Sequence, residues 1–435
     1  MNEVTKRPID ADAAARVFLS QTEEHLVSYL EACVHCGMCA EACHFHEVTG
    51  NPRYTPAYKL FPMAKAYKRQ RSPLGWLGLI PKVTEQDLQE WEELLFDSCT
   101  MCGRCTTICP MGIDIASIVG QARKAFVAAG LGPEDLEAAA VNSRDHGSPL
   151  GLSPEKLMDR VEWLEDDFET DMPTDKAKAD VLLTVSSIEA MKYPDSLVAM
   201  AKIMNHAGVD WTFSTKGYEA TNFGYLAGRG DIAKTMVMRI VEAAEAIGAK
   251  TVVIPECGHA YGVMRWSGAN MIGRELPFEV LHITEYIAKL QREGKLKMKP
   301  YADAITYHDP CQVSRRGGAT QDARDILNGF ATDFREMTPT GDMNWCCGGG
   351  GGVQAMGRAA DLRHKVFELK VKQTEATGTK KLVSACANCR LTMDESKEAL
   401  HWDGELLSLV EMVADALVEK EGAKEEASKE EGAKA

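Results

Sequence analysis

The stretch CVHCGMCAEAC at residues 33–43 decides how the N-terminal part of this chain folds. Its thiols stand at Cys33, Cys36, Cys39 and Cys43, and the spacing returns at Cys99, Cys102, Cys105 and Cys109 in CTMCGRCTTICP. Three thiolates two residues apart curl around one corner of a [4Fe–4S] cube, and the next segment carries the fourth away. In two-cluster arrangements of this kind the fourth cysteine ligates the other cluster. By that rule Cys33, Cys36, Cys39 and Cys109 hold one cubane, and Cys99, Cys102, Cys105 and Cys43 hold a second. Zinc fits poorly, because it takes four tetrahedral ligands from paired C-x2-C elements. The first run continues Cys43-His44, where the second continues Cys109-Pro110. His44 and His46 either tune a cluster by hydrogen bonding or are ordinary polar neighbours.

Outward from these runs the pattern is helical, over 17–32, 85–98 and 114–130, with Leu88, Trp91, Leu94 and Leu95 on one apolar stripe. Residues 1–130 form an α-helical module. Residues 131–178 are polar and acidic and read as a connector with one short helix, capped by Ser153 and begun by Pro154. From 179 onward, strand-like runs at 181–185, 209–213, 251–254, 305–307, 331–334 and 382–384 alternate with helical patterns at 195–207, 229–247, 357–372 and 391–400. Such alternation predicts an α/β region. A shift of 129 residues places Cys257 on Cys386, Gly228-Arg229 on Gly357-Arg358 and Met264 on Met393. That thin repeat predicts two pseudo-symmetric lobes, 179–300 and 301–418, against a reading of chance. The charged segment 419–435 buries nothing and is expected to be disordered.

The second lobe holds Cys311, Cys346-Cys347-Gly348 and Cys386-x2-Cys389. Strand ends of an α/β sheet converge on one edge, so the three elements can meet there. Five thiolates exceed what a regular cube requires. Gly348 and Gly349 open the run Gly348–Gly352, where the absence of side chains lets backbone approach a bulky cofactor. No GK[ST] and no dinucleotide fingerprint accompany these glycines, which argues against a nucleotide site. The net charge of −15 argues against nucleic acid. Fourteen cysteines in a long chain whose start has no apolar signal core point to metal or redox use in the cytoplasm rather than to disulfides.

The segments CVHCGMCAEACHF, YHDPC and WCCGGGGG resemble those of heterodisulfide reductase-related iron–sulfur subunits, the CCG-domain family that includes the reductase's D-type subunits and the DsrK- and TmcB-like branch. The resemblance implies an α-helical ferredoxin-like N-terminal module followed by two CCG-type lobes. It also implies two cubane [4Fe–4S] clusters and one noncubane [4Fe–4S] cluster, the latter held by Cys311, Cys346, Cys347, Cys386 and Cys389. It further implies disulfide/thiol redox chemistry and peripheral docking on the cytoplasmic side of the inner membrane. The implied partner is a membrane cytochrome b-like or quinone-reactive subunit, or a flavin-containing subunit, with the disulfide substrate on a small carrier protein as one option. A competing branch transfers electrons without catalysis, from a glycolate, lactate or glycerol-3-phosphate dehydrogenase to quinone. A redox sensor or scaffold is a third reading, disfavoured by three full ligand sets.

In the first lobe the positions matching Cys346, Cys347 and Cys389 are Gly217, Tyr218 and Ala260, leaving only Cys257. Cys257 is either a buried relic thiol or a group facing substrate sulfur across the lobe interface, with Glu256 and His259 as proton sources. His308 is a proton donor to a departing thiolate or a structural histidine. Finally, Lys65, Lys68, Arg69 and Arg71 precede PLGWLGLI at 73–80, a segment that suits a membrane surface, a partner subunit or a plain covering loop.

Overall fold

The computed structural model describes residues 8–21 and 24–418, so the expected charged tail at 419–435 lies outside the described residues. The N-terminal part is all helical. The single helix expected over 17–32 is instead two, Ala11–Ser20 and Glu24–Ala32. Asp10 caps the first, accepting from the Ala13 amide at 2.8 Å, and the Ser20 hydroxyl bonds back to the Val17 carbonyl at its end. Glu85–Leu95 begins in a capping box of Thr84 and Asp87 and buries Leu88, Leu94 and Leu95. Ile115–Ala128 is capped by Asp114.

The connector carries two helices rather than one, Glu134–His146 and Pro154–Phe168. Each shows the core only a narrow stripe, Leu136 and Ala140 in one, Leu157, Val161 and Leu164 in the other. The second is the helix expected from Ser153 and Pro154; in the first, the surrounding acidic residues masked the stripe in the sequence.

Two parallel sheets follow. The first contains β1 (Val181–Leu183), β2 (Trp211–Thr212), β3 (Thr251–Ile254) and β4 (Glu279–His282), in the order β2-β1-β3-β4. The second contains β5 (Thr306–His308), β6 (Lys381–Ser384) and β7 (Glu405–Ser408), in the order β5-β6-β7. The expected strand at 331–334 reaches β5 only through isolated parallel bridges, Tyr301 with Ala331 and Ile305 with Phe334. β4 and β7 are additions to the sequence reading, each only four residues long.

Strands β1, β3 and β5 are buried at every residue, as parallel strands covered on both faces must be. One apolar core runs through both sheets, including Leu183, Val253, Tyr307, Val383 and Val413. A second core fills the helical module and draws in Val353, Met356 and Val366 from the far end of the chain. The carboxyl ends of β3, β5 and β6 lead directly into Cys257, Cys311 and Cys386.

Candidate metal centres

The two N-terminal cysteine runs share one backbone device. His35 and Gly37 in the first run, and Met101 and Gly103 in the second, all have positive φ, between 54° and 83°. Two left-handed residues flanking the second cysteine wind the loop so that consecutive thiols turn inward. A short helical turn then carries the fourth cysteine off. Cys43 precedes the helix His44–Thr49, and Cys109 ends the helix Arg104–Ile108.

Two cavities result. Cys33, Cys36, Cys39 and Cys109 line one. Cys43, Cys99, Cys102 and Cys105 line the other. The fourth thiol of each run therefore stands with the first three of the other. Cys36 is exposed, whereas Cys43 and Cys102 are buried, so the first cavity faces the surface and the second lies inward.

Burial pushes the Cys43 thiol up to about 11 and raises Cys39 and, much further, Cys105. Such thiols ionise only where a cation compensates them, which is what iron ligation supplies. The second cavity also carries a buried ammonium. Lys59 donates to the Leu94 carbonyl at 2.7 Å and the Ser98 carbonyl at 2.8 Å. Four thiols and no competing carboxylate at each cavity fit a thiolate-held cluster.

The five C-terminal cysteines converge and are all buried. Cys311 Sγ lies 4.0 Å from Cys346 Sγ. The Cys347 and Cys389 sulfurs and a His308 ring nitrogen lie within 4.8 Å of one another. The amides of Gly348 and Gly349 donate to the sulfurs of Cys346 and Cys347, each at 3.5 Å. Cys347 accepts from the Cys346 and Cys389 thiols as well, and these bonds hold it well below the usual thiol range.

The glycines after Cys347 have a second task. An added Cβ at Gly350 would lie 2.8 Å from the Thr100 carbonyl, and one at Gly351 would lie 2.8 Å from the Cys99 carbonyl. The backbone they admit is thus that of the second N-terminal run. Arg123, wholly buried, locks this junction by donating to the carbonyls of Leu95, Cys99, Leu226 and Gly351. Arg315 donates to the Cys102 carbonyl at 3.0 Å, and Gln312 to the Met101 carbonyl at 2.9 Å.

As a result the inner cavity and the five-thiol site adjoin. The Cys346 sulfur lies 3.4 Å from Thr100 Oγ1, and that hydroxyl lies 3.4 Å from His44 Nε2. His44, Cys102 and Cys346 have ligand atoms within 4.8 Å of one another.

His308 is fully buried at the end of β5, neither ring nitrogen has a hydrogen-bond partner, and burial holds it well below its ordinary range. Cys257 is buried at the end of β3, with its sulfur 3.8 Å from Thr221 Oγ1, and burial pushes its thiol up. The Ala387 amide donates to the Glu256 carbonyl at 2.7 Å, which seats the Cys257 turn against the Cys386–Cys389 element. His259 packs its ring 5.5 Å from that of Tyr225, has an unpartnered Nε2 and is lowered to about 4 by burial.

In the first lobe, Tyr218 is buried with its hydroxyl on the Leu152 carbonyl, and a Cβ at Gly217 would lie 2.5 Å from the Arg239 carbonyl. Those positions, like Ala260, offer no thiol to a cluster.

Four groups escaped the sequence reading: Thr100, Arg123, Arg315 and Lys370. The last is a fully buried lysine that donates to Asn344 and Gln373 and faces the charges of Cys346, Cys347 and Cys389. Its burial holds it down to about 7. Only Arg123 carried a signal, as a cation on the apolar face of Ile115–Ala128.

Residues 29–113 match the 4Fe-4S dicluster domain, and residues 305–394 match the cysteine-rich CCG domain. The chain is an iron–sulfur protein of oxidoreductase type. It is 29% identical over 397 residues to the D subunit of the dihydromethanophenazine:CoB–CoM heterodisulfide reductase of Methanosarcina barkeri, covering 89% of this chain and 94% of that one. Likeness also extends to an Hdr-like menaquinol oxidoreductase iron-sulfur subunit 2 of Archaeoglobus fulgidus, 26% identical over 90% of this chain and 80% of the other. The EtfAB:quinone oxidoreductase of Syntrophomonas wolfei is 26% identical over 84% of this chain and 54% of its own length. These matches make the chain similar to heterodisulfide reductase-type iron–sulfur subunits. Among the described residues no helix is long and apolar enough to cross a membrane.

Proposed function

We propose that the chain relays electrons through two cubane [4Fe–4S] clusters to a noncubane cluster at which a disulfide is reduced. Cys33, Cys36, Cys39 and Cys109 hold the outer cubane. Cys99, Cys102, Cys105 and Cys43 hold the inner one. Cys311, Cys346, Cys347, Cys386 and Cys389 hold the noncubane cluster. The observation that carries this reading is the junction of Cys102, Thr100 and Cys346, which sets the inner cavity against the five-thiol site.

Cleavage of one disulfide takes two electrons and two protons, breaks the S–S bond and yields two thiols. The bound cluster supplies the electrons. His308, beside Cys347 and Cys389, is the candidate to move the protons, with Cys257 and His259 as further candidates. Gly348 and Gly349 hold the cluster thiolates through their amides. The expected domain limits, the outward partner on the membrane or a flavoprotein, and peripheral seating on the inner membrane belong to the same proposal. So does duplication of the lobes, which the shared order of β2-β1-β3-β4 and of 331–334 beside β5-β6-β7 supports.

Likeness to an EtfAB:quinone oxidoreductase favours a second reading, in which the same three centres pass electrons between a flavoprotein and quinone without acting on a disulfide. Anaerobic purification with iron and sulfide analysis and electron paramagnetic resonance tests both. Three clusters are expected, and Cys311→Ser should remove the signal of one while sparing the other two. Iron for two cubanes only would refute the noncubane assignment. Turnover of a disulfide, absent in Cys347→Ser, separates the first reading from the second.

A further inference from the structure

An apolar loop stands out from the helical module, and nothing in the redox reading uses it. Leu74, Trp76, Leu77 and Leu79 expose 55%, 73%, 74% and 69% of their surface within six consecutive residues. Soluble surfaces seldom present four large apolar side chains together.

The loop is held rigid from within. Ser72 donates to the Lys68 carbonyl at 2.6 Å and accepts from the Gly75 amide at 3.1 Å. Arg69 donates to the Gly75 carbonyl, and the Leu79 amide bonds to the Leu74 carbonyl at 2.9 Å. The indole N–H of Trp76, the only polar side-chain group at the tip, is taken by the Gln70 carbonyl at 2.7 Å. Polar groups satisfied internally are what a segment needs before it can leave water.

Charge identifies what covers it. Between Glu47 and Glu85 the chain has no acidic residue, although the whole carries a net charge of −15. Lys68, Arg71 and Lys82 are exposed beside the loop. Elsewhere the acidic surface is repelled by an anionic membrane, and here it is attracted. The segment from 419 onward contains no apolar residue larger than alanine, so it offers no intramolecular cover for the tip.

We infer that residues 68–82 seat this subunit directly on the interfacial layer of an anionic lipid bilayer, with Leu74, Trp76, Leu77 and Leu79 entering the acyl boundary and Lys68, Arg71 and Lys82 meeting headgroup phosphates. The inference deepens the peripheral seating proposed above and does not depend on which reaction the clusters serve. Insertion strength of such elements grows with buried apolar area and with anionic lipid.

The test is anaerobic co-sedimentation of the full-length, cluster-loaded protein with vesicles of phosphatidylglycerol and phosphatidylcholine, or phosphatidylcholine alone. Binding is expected on the anionic vesicles, weakening as salt rises. Serine at positions 74, 76, 77 and 79 together should lower the bound fraction roughly tenfold or more. Alanine at positions 68, 71 and 82 should weaken binding and flatten its salt dependence. Iron content and the electron paramagnetic resonance spectrum should stay unchanged in both variants, because the altered side chains are exposed. A change there would speak against the redox reading's geometry, not against the lipid contact.

No sedimentation of the wild type with anionic vesicles, or equal binding by the serine variant, would overturn the inference. So would a serine variant that loses a co-purifying protein while keeping its vesicle binding, since the loop would then be a protein-docking surface.

Discussion

Gly351→Ala tests whether the five-thiol loop rests on the second N-terminal run as described. Gly351 has φ +64°, a conformation that costs an L-residue about 1–2 kcal/mol. Its new methyl would lie 2.8 Å from the Cys99 carbonyl oxygen and 2.9 Å from the Thr100 carbonyl carbon, where ordinary contact begins at 3.4 Å. Both neighbours are backbone, and Arg123 fixes the Cys99 carbonyl, so relief requires the loop to lift. Overpacking of this kind costs about 1–3 kcal/mol. The two terms together come to about 2–5 kcal/mol.

Gly357→Ala is the matched control, because a Cβ there meets nothing within 4 Å and its φ is not positive. It should change stability by no more than about 0.5 kcal/mol. Denaturant unfolding of the anaerobic protein, followed by far-ultraviolet circular dichroism, reads both. If the two variants unfold at the same midpoint, the packing argued for Gly351 is wrong.

Two further outcomes follow from the geometry. Because Cys43 lines the cavity of the second run and Cys109 that of the first, Cys43→Ser should disturb the buried cluster and Cys109→Ser the exposed one, opposite to what sequence proximity suggests. Electron paramagnetic resonance of the two variants, with the exposed cluster marked by faster reaction with an outer oxidant, distinguishes them. Glu189 is fully buried, and burial, with the charge of Glu256, raises its carboxyl to about 8 from 4.5. The folded state therefore favours the neutral acid. Its contribution is complete below about pH 4.5 and is lost as pH rises towards about 8. Glu189→Gln lacks that loss, so its stability relative to wild type should increase from about pH 5 to about pH 8 and then level off, as unfolding midpoints across that range will report.

The cysteine geometry was legible in the sequence because ligand spacing is local chemistry, written within eleven residues in each run. The α/β alternation was equally legible, since buried parallel strands read as short apolar runs. What escaped was nonlocal or diluted. The helix Glu134–His146 shows the core only Leu136 and Ala140 among its hydrophobics, and β4 and β7 each open on an exposed glutamate. The glycine run announced close backbone approach, yet nothing near it in sequence reveals that its neighbour is the Cys99–Thr100 backbone. Thr100 and Lys370 are ordinary residues until the fold places one beside Cys346 and the other behind the five thiols.

The exchange of fourth thiols between the runs bears on how the protein matures. A site completed from a single run can fill while the remainder of the chain is still being made. Here the outer pocket lacks its last thiol until Cys109 has emerged and folded back. Neither pocket can be finished alone, so a chain truncated between residues 44 and 98 keeps three thiols of the outer site and one of the inner, and completes neither. Under the proposed ligation, loading with iron would require the whole helical module to be in place.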